Sequence, residues 1–160
     1  MTVAARARLL GLVAGLCACG VVIGCGDDAP PSILPVDYRA TYTEVRNCRQ
    51  SGDHDLHMVR VLADPAAIAA YSDRTTAFPE GATVMKEEYE FGDSDCTGPI
   101  EQFTVMQKLL FGADPANLDW HWQRIDTGFN VVAENDPRCA ACHVRCGVPP
   151  DGYDGTCTLP

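Results

Sequence analysis

Two thiols and an imidazole lie within one pentapeptide near the end of the sequence, Cys139-Ala140-Ala141-Cys142-His143. This C-x-x-C-H spacing is typical of covalent haem attachment. The thiols of Cys139 and Cys142 would form thioether bonds to one porphyrin, and the imidazole of His143 would be an axial ligand of its iron. The motif therefore predicts one covalently bound haem c.

A cysteine pair with this spacing also occurs in redox disulfides and in zinc sites. Neither of these requires the histidine that follows, and a zinc site needs a second pair of ligands. The other cysteines nearby, Cys146 and Cys157, do not have the spacing of such a pair. Haem attachment is the interpretation that uses all three residues of the motif.

A short helix is predicted to carry the motif. Asp136 and Pro137 have the residue types of an N-cap and a first helical position. Residues three and four apart share one face of a helix, so Cys139, Cys142 and His143 would lie on the same side. We expect that side to face the porphyrin.

The N-terminus is typical of an exported lipoprotein. Arg6 and Arg8 precede an uncharged apolar run over residues 9–23, which is the pattern of a signal peptide and is short for a transmembrane helix. Cys25 follows in a context that resembles the bacterial lipobox, in which the cysteine becomes the lipidated first residue. Cleavage near Ala18 without lipidation and an uncleaved anchor helix are the alternatives.

This interpretation divides the chain into three segments. Residues 1–24 are predicted to be a lipoprotein signal peptide, residues 25–36 a flexible tether after the lipidated cysteine, and residues 37–160 one haem domain. The mature protein would be lipid-anchored in the bacterial periplasm or at the outer membrane.

The sequence has nine cysteines. Two lie in the signal peptide, one is the lipid anchor and two belong to the haem motif, which leaves Cys48, Cys96, Cys146 and Cys157. An oxidising compartment favours two disulfides among these four. Cys146 and Cys157 would close a short loop beside the haem helix and leave Cys48 to pair with Cys96, although other pairings stay open.

The chain is acidic, with 12 basic and 22 acidic residues and a net charge of −10. Such a surface repels nucleic acid and anionic lipid, so we expect neither as a partner, and we expect membrane contact only through the lipid anchor. A basic redox protein would be attracted to it, although solubility alone also explains an acidic surface.

The elements that must position the motif are predicted to be mostly β-strands. Apolar and β-branched runs predict strands over residues 56–63, 82–91, 103–111 and 118–125, and a short helix over residues 64–72. Alternation along the second strand places Met85 and Tyr89 on one face and Val84 and Lys86 on the other. We therefore predict a mainly β (α+β) fold, an antiparallel sheet with short helices and a C-terminal helix that carries the haem motif.

This order of elements excludes two common haem architectures. Small electron-carrier cytochromes c have the motif near the N-terminus and a methionine ligand downstream, whereas no methionine follows His143. Four-helix cytochromes need four long amphipathic helices, and the sequence predicts none. A β-sheet that ends in a haem helix remains.

The motifs and their order resemble the cytochrome P-460 family, which includes the β-sheet cytochromes c′. The resemblance covers most of the mature chain and implies an antiparallel β domain, often a homodimer, with one haem that binds nitric oxide or, in some members, oxidises hydroxylamine. The segments that carry the resemblance are Tyr38-Arg39, residues 61–65, Phe78-Pro79 with Gly81, Lys86-Glu87, Met106 with Lys108, Trp120 and the C-x-x-C-H motif.

Lys86 and Thr104 decide how far the resemblance extends to catalysis. Lys86 lies where the hydroxylamine-oxidising members join a lysine nitrogen to the porphyrin, so a cross-link is implied; a surface lysine paired with Glu88 or Glu90 is the alternative. Thr104 lies where those members have a distal carboxylate. A threonine can hydrogen-bond a ligand but cannot act as a base near neutral pH.

The sixth position of the iron is predicted to be open or water-bound. His54 and His57 are expected at the exposed start of a strand, and an apolar pocket would admit uncharged diatomic ligands. The predicted function is therefore the binding, with oxidation as an extension, of small nitrogen species. An electron-transfer cytochrome and a haem-based sensor are the alternatives. The pocket is expected to be lined by Val84, Phe103, Met106 and Trp122.

Overall fold

The computed structural model describes residues 29–147 and 152–157. The predicted signal peptide and the lipidated Cys25 lie outside these ranges. Within them, no helix is both long and apolar enough to cross a bilayer. A single six-stranded sheet dominates, and each strand runs antiparallel to the next one along the chain. The predicted mainly β class is confirmed.

The strands are β1 (Thr43–Gln50), β2 (Met58–Ala63), β3 (Thr83–Tyr89), β4 (Ile100–Lys108), β5 (Trp120–Asp126) and β6 (Val131–Glu134). Helix α1 (Ile68–Asp73) connects β2 to β3, and helix α2 (Pro137–His143) follows β6. Short 3-10 turns cover Tyr38–Ala40, Pro115–Asn117 and Val144–Cys146. Because consecutive strands are also neighbours, the sheet is a simple meander.

The four predicted strands correspond to β2 through β5, with shifted ends. The predicted start of the first helix is too early, since α1 begins at Ile68. Asp64 nevertheless makes a capping contact, because its carboxylate accepts a hydrogen bond from the Ala67 amide at 2.8 Å in the turn before the helix. The sequence does not predict β1 or β6. Both are edge strands without fully buried residues, so they lack the apolar alternation that marks a strand in sequence.

Each face of the sheet packs against its own cluster of apolar side chains. The face that we call the cavity face carries Val84, Met106 and Trp122 and packs on α1. The back face carries Met85 and Phe103 and is covered by the segment before β1. Phe103 was expected in the ligand pocket, and this expectation is wrong, because the side chains of a strand alternate between faces.

Two disulfides occur in the predicted pairing. Cys48–Cys96 joins β1 to the loop between β3 and β4. Cys146–Cys157 joins the end of the haem helix to the C-terminal segment. The second bond therefore holds the described tail, residues 152–157, against α2.

Candidate functional site

Helix α2 presents the motif as its sequence predicts. Asp136 is the N-cap, and its carboxylate accepts a hydrogen bond from the backbone amide of Arg138 at 3.0 Å. Pro137 opens the helix, where a missing amide hydrogen costs nothing. Cys139 and Cys142 are free thiols. The alternative interpretation, a redox disulfide between them, therefore does not apply to this structure.

A cavity of about 730 Å³ lies between α2 and the cavity face of the sheet. This volume is within the range of about 300–1,000 Å³ that is usual for ligand and cofactor sites. The sheet, the helix and the loop between β1 and β2 all contribute to its wall. Lining residues include His54, Val84, Lys86, Glu88, Thr104, Met106, Trp122, Cys139, Cys142 and His143.

His143 is held in the state that a metal ligand requires. Its Nδ1–H donates to the carbonyl oxygen of Gly155 at 2.5 Å, so Nε2 carries the free lone pair. Burial, with a smaller contribution from the nearby charge of Lys86, lowers the pKa of His143 to about 3. The imidazole is therefore neutral at physiological pH, and the hydrogen bond to the Gly155 carbonyl sets its tautomer.

The tail that supplies this carbonyl is fastened at several points. Besides the disulfide at Cys157, the carboxylate of Asp154 accepts from Lys108 Nζ at 2.9 Å, and its backbone carbonyl accepts from Trp120 Nε1 at 2.9 Å. Gly155 has φ of +83°, a conformation that favours glycine. The sequence gives no local signal that Gly155 orients the histidine.

Lys86 is partly buried and lines the cavity. It is the cross-strand partner of Thr104. Its ammonium nitrogen is 2.5 Å from Nε2 of His54. Burial lowers the pKa of Lys86 to about 8, although the charge of Glu88 opposes this shift. The alternative of a surface ion pair is therefore wrong.

Glu88 is a buried carboxylate in the same cavity, whereas the sequence was interpreted to place it on the surface as an alternative partner of Lys86. Its side chain is 1% exposed and accepts hydrogen bonds at 2.7 Å from His54 Nδ1, Thr104 Oγ1 and Gln102 Nε2. Burial alone would raise the pKa of Glu88, but these hydrogen bonds hold it below its ordinary value. The two-residue spacing from Lys86 was the available signal, since both side chains share one face of β3.

His54 also differs from its expected position. The side chain is 16% exposed, lines the cavity and bridges Glu88 and Lys86. His57, three residues later, lies outside the cavity lining and binds the backbone carbonyl of Tyr89. The cavity is consequently apolar near Val84, Met106 and Trp122 but strongly polar near β3, which corrects the expectation of a wholly apolar pocket.

Arg49, which lines the cavity, indicates an anionic ligand. Nη2 of Arg49 is buried and has no hydrogen-bond partner among the described residues. A buried guanidinium donor needs an acceptor, and a carboxylate suits it best. Porphyrin propionates are carboxylates, so Arg49, the two free thiols and the free Nε2 of His143 fit haem.

The zinc alternative loses its second pair of ligands, because Cys146 and Cys157 are joined in a disulfide. The meander defines a β-sheet protein with a cavity between a C-terminal helix and the sheet. The profile of the cytochrome P-460 family matches residues 35–147, and the chain belongs to this family. Its cofactor is therefore haem. No curated protein matches the chain.

Proposed function

We propose that the protein binds one haem c through Cys139, Cys142 and the proximal ligand His143, and that the cavity receives nitric oxide or hydroxylamine. The observation that carries this proposal is the bond from His143 to Gly155, which leaves Nε2 for a metal beside two free thiols. When bound, haem supplies an iron that coordinates the nitrogen ligand and exchanges electrons with it.

The remaining lining residues bind and orient. Arg49 would pair with a propionate and so satisfy its buried donor. Val84, Met106 and Trp122 form the apolar end of the cavity, and Trp122 packs edge-on against the imidazole of His143, with ring centres 4.7 Å apart. Thr104 already donates its hydroxyl proton to Glu88, so it offers a ligand only its oxygen lone pairs.

Glu88 favours oxidation of hydroxylamine as a second candidate function. Oxidation of this substrate releases protons, and the lowered pKa of Glu88 keeps its carboxylate ionised in the cavity, where it has room for a proton. Thr104 cannot do so, but its neighbour across the strand pair can. The distal carboxylate that Thr104 replaces on β4 would thus have its counterpart on β3, in Glu88.

Lys86 remains the candidate for a cross-link to the porphyrin. Its amine lies within the cavity, and a pKa of about 8 makes a nucleophilic fraction available near neutral pH. The link would replace a porphyrin C–H bond and an amine N–H bond by a C–N bond, so an oxidant such as dioxygen or peroxide would have to take up the two electrons and two protons released. Mass spectrometry of the digested holoprotein tests this directly. A haem peptide that contains residue 86 is expected, and a haem attached only to Cys139 and Cys142 would exclude the link.

Ligand uptake separates the three candidate functions. The holoprotein is produced with a cytochrome c maturation system, and its absorption spectrum is followed on addition of nitric oxide. Uptake of nitric oxide is expected for a ligand-binding protein, whatever its rate. Turnover of hydroxylamine is then measured with an artificial electron acceptor. Uptake of nitric oxide without turnover would indicate a binding protein or a sensor. The absence of uptake would indicate an electron-transfer protein. The double variant Cys139→Ala/Cys142→Ala should lose covalent haem, and the surface variant His121→Ala should retain it.

The location and the partners are part of the same proposal. A lipidated Cys25 would tether the haem domain to a bacterial membrane, facing the periplasm. The acidic surface would attract a basic redox protein as electron acceptor. The homodimer implied by the family is tested by sedimentation of the mature holoprotein.

A further inference from the structure

We propose that His54 is a second axial ligand of the haem iron, opposite His143, and that an incoming nitrogen ligand must displace it. This inference rests on the proposed haem site and specifies the resting state of its sixth position. It replaces the open or water-bound position that the sequence predicts. Three independent features of the structure support it.

The first feature is the protonation of the His54 ring. Lysine has only donors and a carboxylate only acceptors. Nε2, which contacts Lys86, must therefore accept, and Nδ1, which contacts Glu88, must donate. This tautomer leaves the lone pair on Nε2, and a carboxylate behind the ring is the usual second shell of a metal-binding histidine. His143 has the same arrangement, with Gly155 behind Nδ1.

The second feature is the distance between the two imidazoles. Their ring centres are 6.4 Å apart and their planes are at 83° to each other. A metal–imidazole bond is about 2 Å long and the ring centre lies about 1 Å behind the nitrogen, so two imidazoles on one ion have centres about 6 Å apart. The observed separation matches this requirement.

The third feature is the loop that carries His54. Its ends are fixed by the Cys48–Cys96 disulfide, by a backbone bond from Ser51 to His57 and by the contact of His57 with Tyr89. Between these anchors the neighbours of His54 are exposed. Among the described residues, the hydrogen-bond partners of the His54 side chain are Glu88 and Lys86, so it can leave the iron without unfolding the sheet. Lys86 must release Nε2 when the metal binds, and its predicted link to the porphyrin would have this effect.

Absorption and electron paramagnetic resonance spectra of the ferric holoprotein test the inference. The wild type is expected to be low-spin, and His54→Ala is expected to be high-spin. His121→Ala, on strand β5 and outside the cavity lining, is the matched control and should remain low-spin. His54→Gly should return to the low-spin form when imidazole is added. A high-spin wild type, or a His54→Ala variant that stays low-spin, would overturn the inference.

Nitric oxide binding provides a second readout. If the His54-free state is a minor population, removing the side chain should raise the apparent affinity about tenfold or more. Unchanged affinity and rate in His54→Ala would contradict the displacement step. A haem-stained denaturing gel distinguishes this failure from failure of the proposed function, because it reports covalent haem whatever the sixth ligand is.

Discussion

At the scale of single residues, a hydrogen bond from Nδ1 orients each of the two imidazoles in the cavity. Gly155 sets the tautomer of His143 and Glu88 sets that of His54. Neither contact is visible as a motif, yet each decides which nitrogen faces the cavity. Glu88 has two proposed roles: it orients His54, and it accepts protons from the substrate.

Replacement of Glu88 tests its role as proton acceptor. Glu88→Gln keeps the size and some hydrogen bonds of the side chain but removes its charge. If oxidation of hydroxylamine depends on this carboxylate, the turnover rate should fall by about a hundredfold or more. Gln102→Ala, which removes one hydrogen bond to Glu88 and retains the charge, should keep most of the activity. Equal turnover by Glu88→Gln and wild type would remove this role.

A second buried carboxylate, Glu87, lies on the back face and predicts a pH dependence of stability. Burial alone would raise its pKa, but hydrogen bonds from Tyr38, Tyr89 and Arg39 hold it below the ordinary value. The unfolded chain therefore binds this proton at higher pH than the folded chain. The stabilisation is complete above the ordinary pKa of a glutamate, about 4.3, and is lost as the pH falls below it.

The variant Glu87→Gln should lower the free energy of unfolding near neutral pH by about 3 kcal/mol, because it breaks a buried charged network. Its loss of stability on acidification should be shallower than that of the wild type. Urea unfolding at several pH values measures both effects. Glu90→Gln, at an exposed position on the same strand end, should behave like the wild type; a similar loss there would show that the effect is not specific to Glu87.

At the scale of elements, the haem helix and the tail form one unit. Helix α2 supplies the thiols and the imidazole, and residues 152–157 supply the carbonyl behind the imidazole. The central strands were predictable because alternation marks a strand with one face in the core. β1 and β6 were not, because edge strands bury few side chains.

Removal of the Cys146–Cys157 disulfide should loosen the proximal ligand. Cys157→Ser opens a loop with a sequence separation of 11 residues, for which the loss of stability is about 3 kcal/mol in the chain-entropy account. In the His54→Ala background, where His143 would be the only histidine on the iron, the iron–histidine stretching frequency of the reduced holoprotein should also fall, since Gly155 no longer holds Nδ1 of His143. Cys96→Ser, which opens the other disulfide, should lose stability without this change in frequency. An unchanged frequency in Cys157→Ser would show that the tail does not need the disulfide.

At the scale of the whole molecule, we propose that a lipidated N-terminus holds a small acidic domain at a membrane. Ile33 and Leu34 pack on the back face of the sheet, so a flexible tether would be shorter than the predicted residues 25–36. The net charge of −10 and the predicted lipidated cysteine bear on the location of the protein and on its partner proteins. They do not affect the cavity. Location and chemistry can therefore be tested separately.

Substitution of the anchor separates them. Cys25→Ser should move the holoprotein from the membrane fraction to the soluble periplasmic fraction, because the lipid supplies the membrane affinity. Covalent haem and nitric oxide binding should be unchanged, because the tether lies outside the cavity lining. Fractionation with haem staining measures both. A membrane-bound Cys25→Ser protein would indicate an uncleaved anchor helix instead.

The sequence by itself determined the attachment motif, the helix that carries it, the cysteines available for disulfides and the β class. These depend on short spacings and on alternation, which are properties of neighbouring residues. Only the tertiary structure decided that His54, Lys86 and Glu88 meet across from His143, and that Phe103 does not. His54 and Glu88 are 34 residues apart in the chain, and their contact depends on strand register and loop closure, which no local pattern encodes.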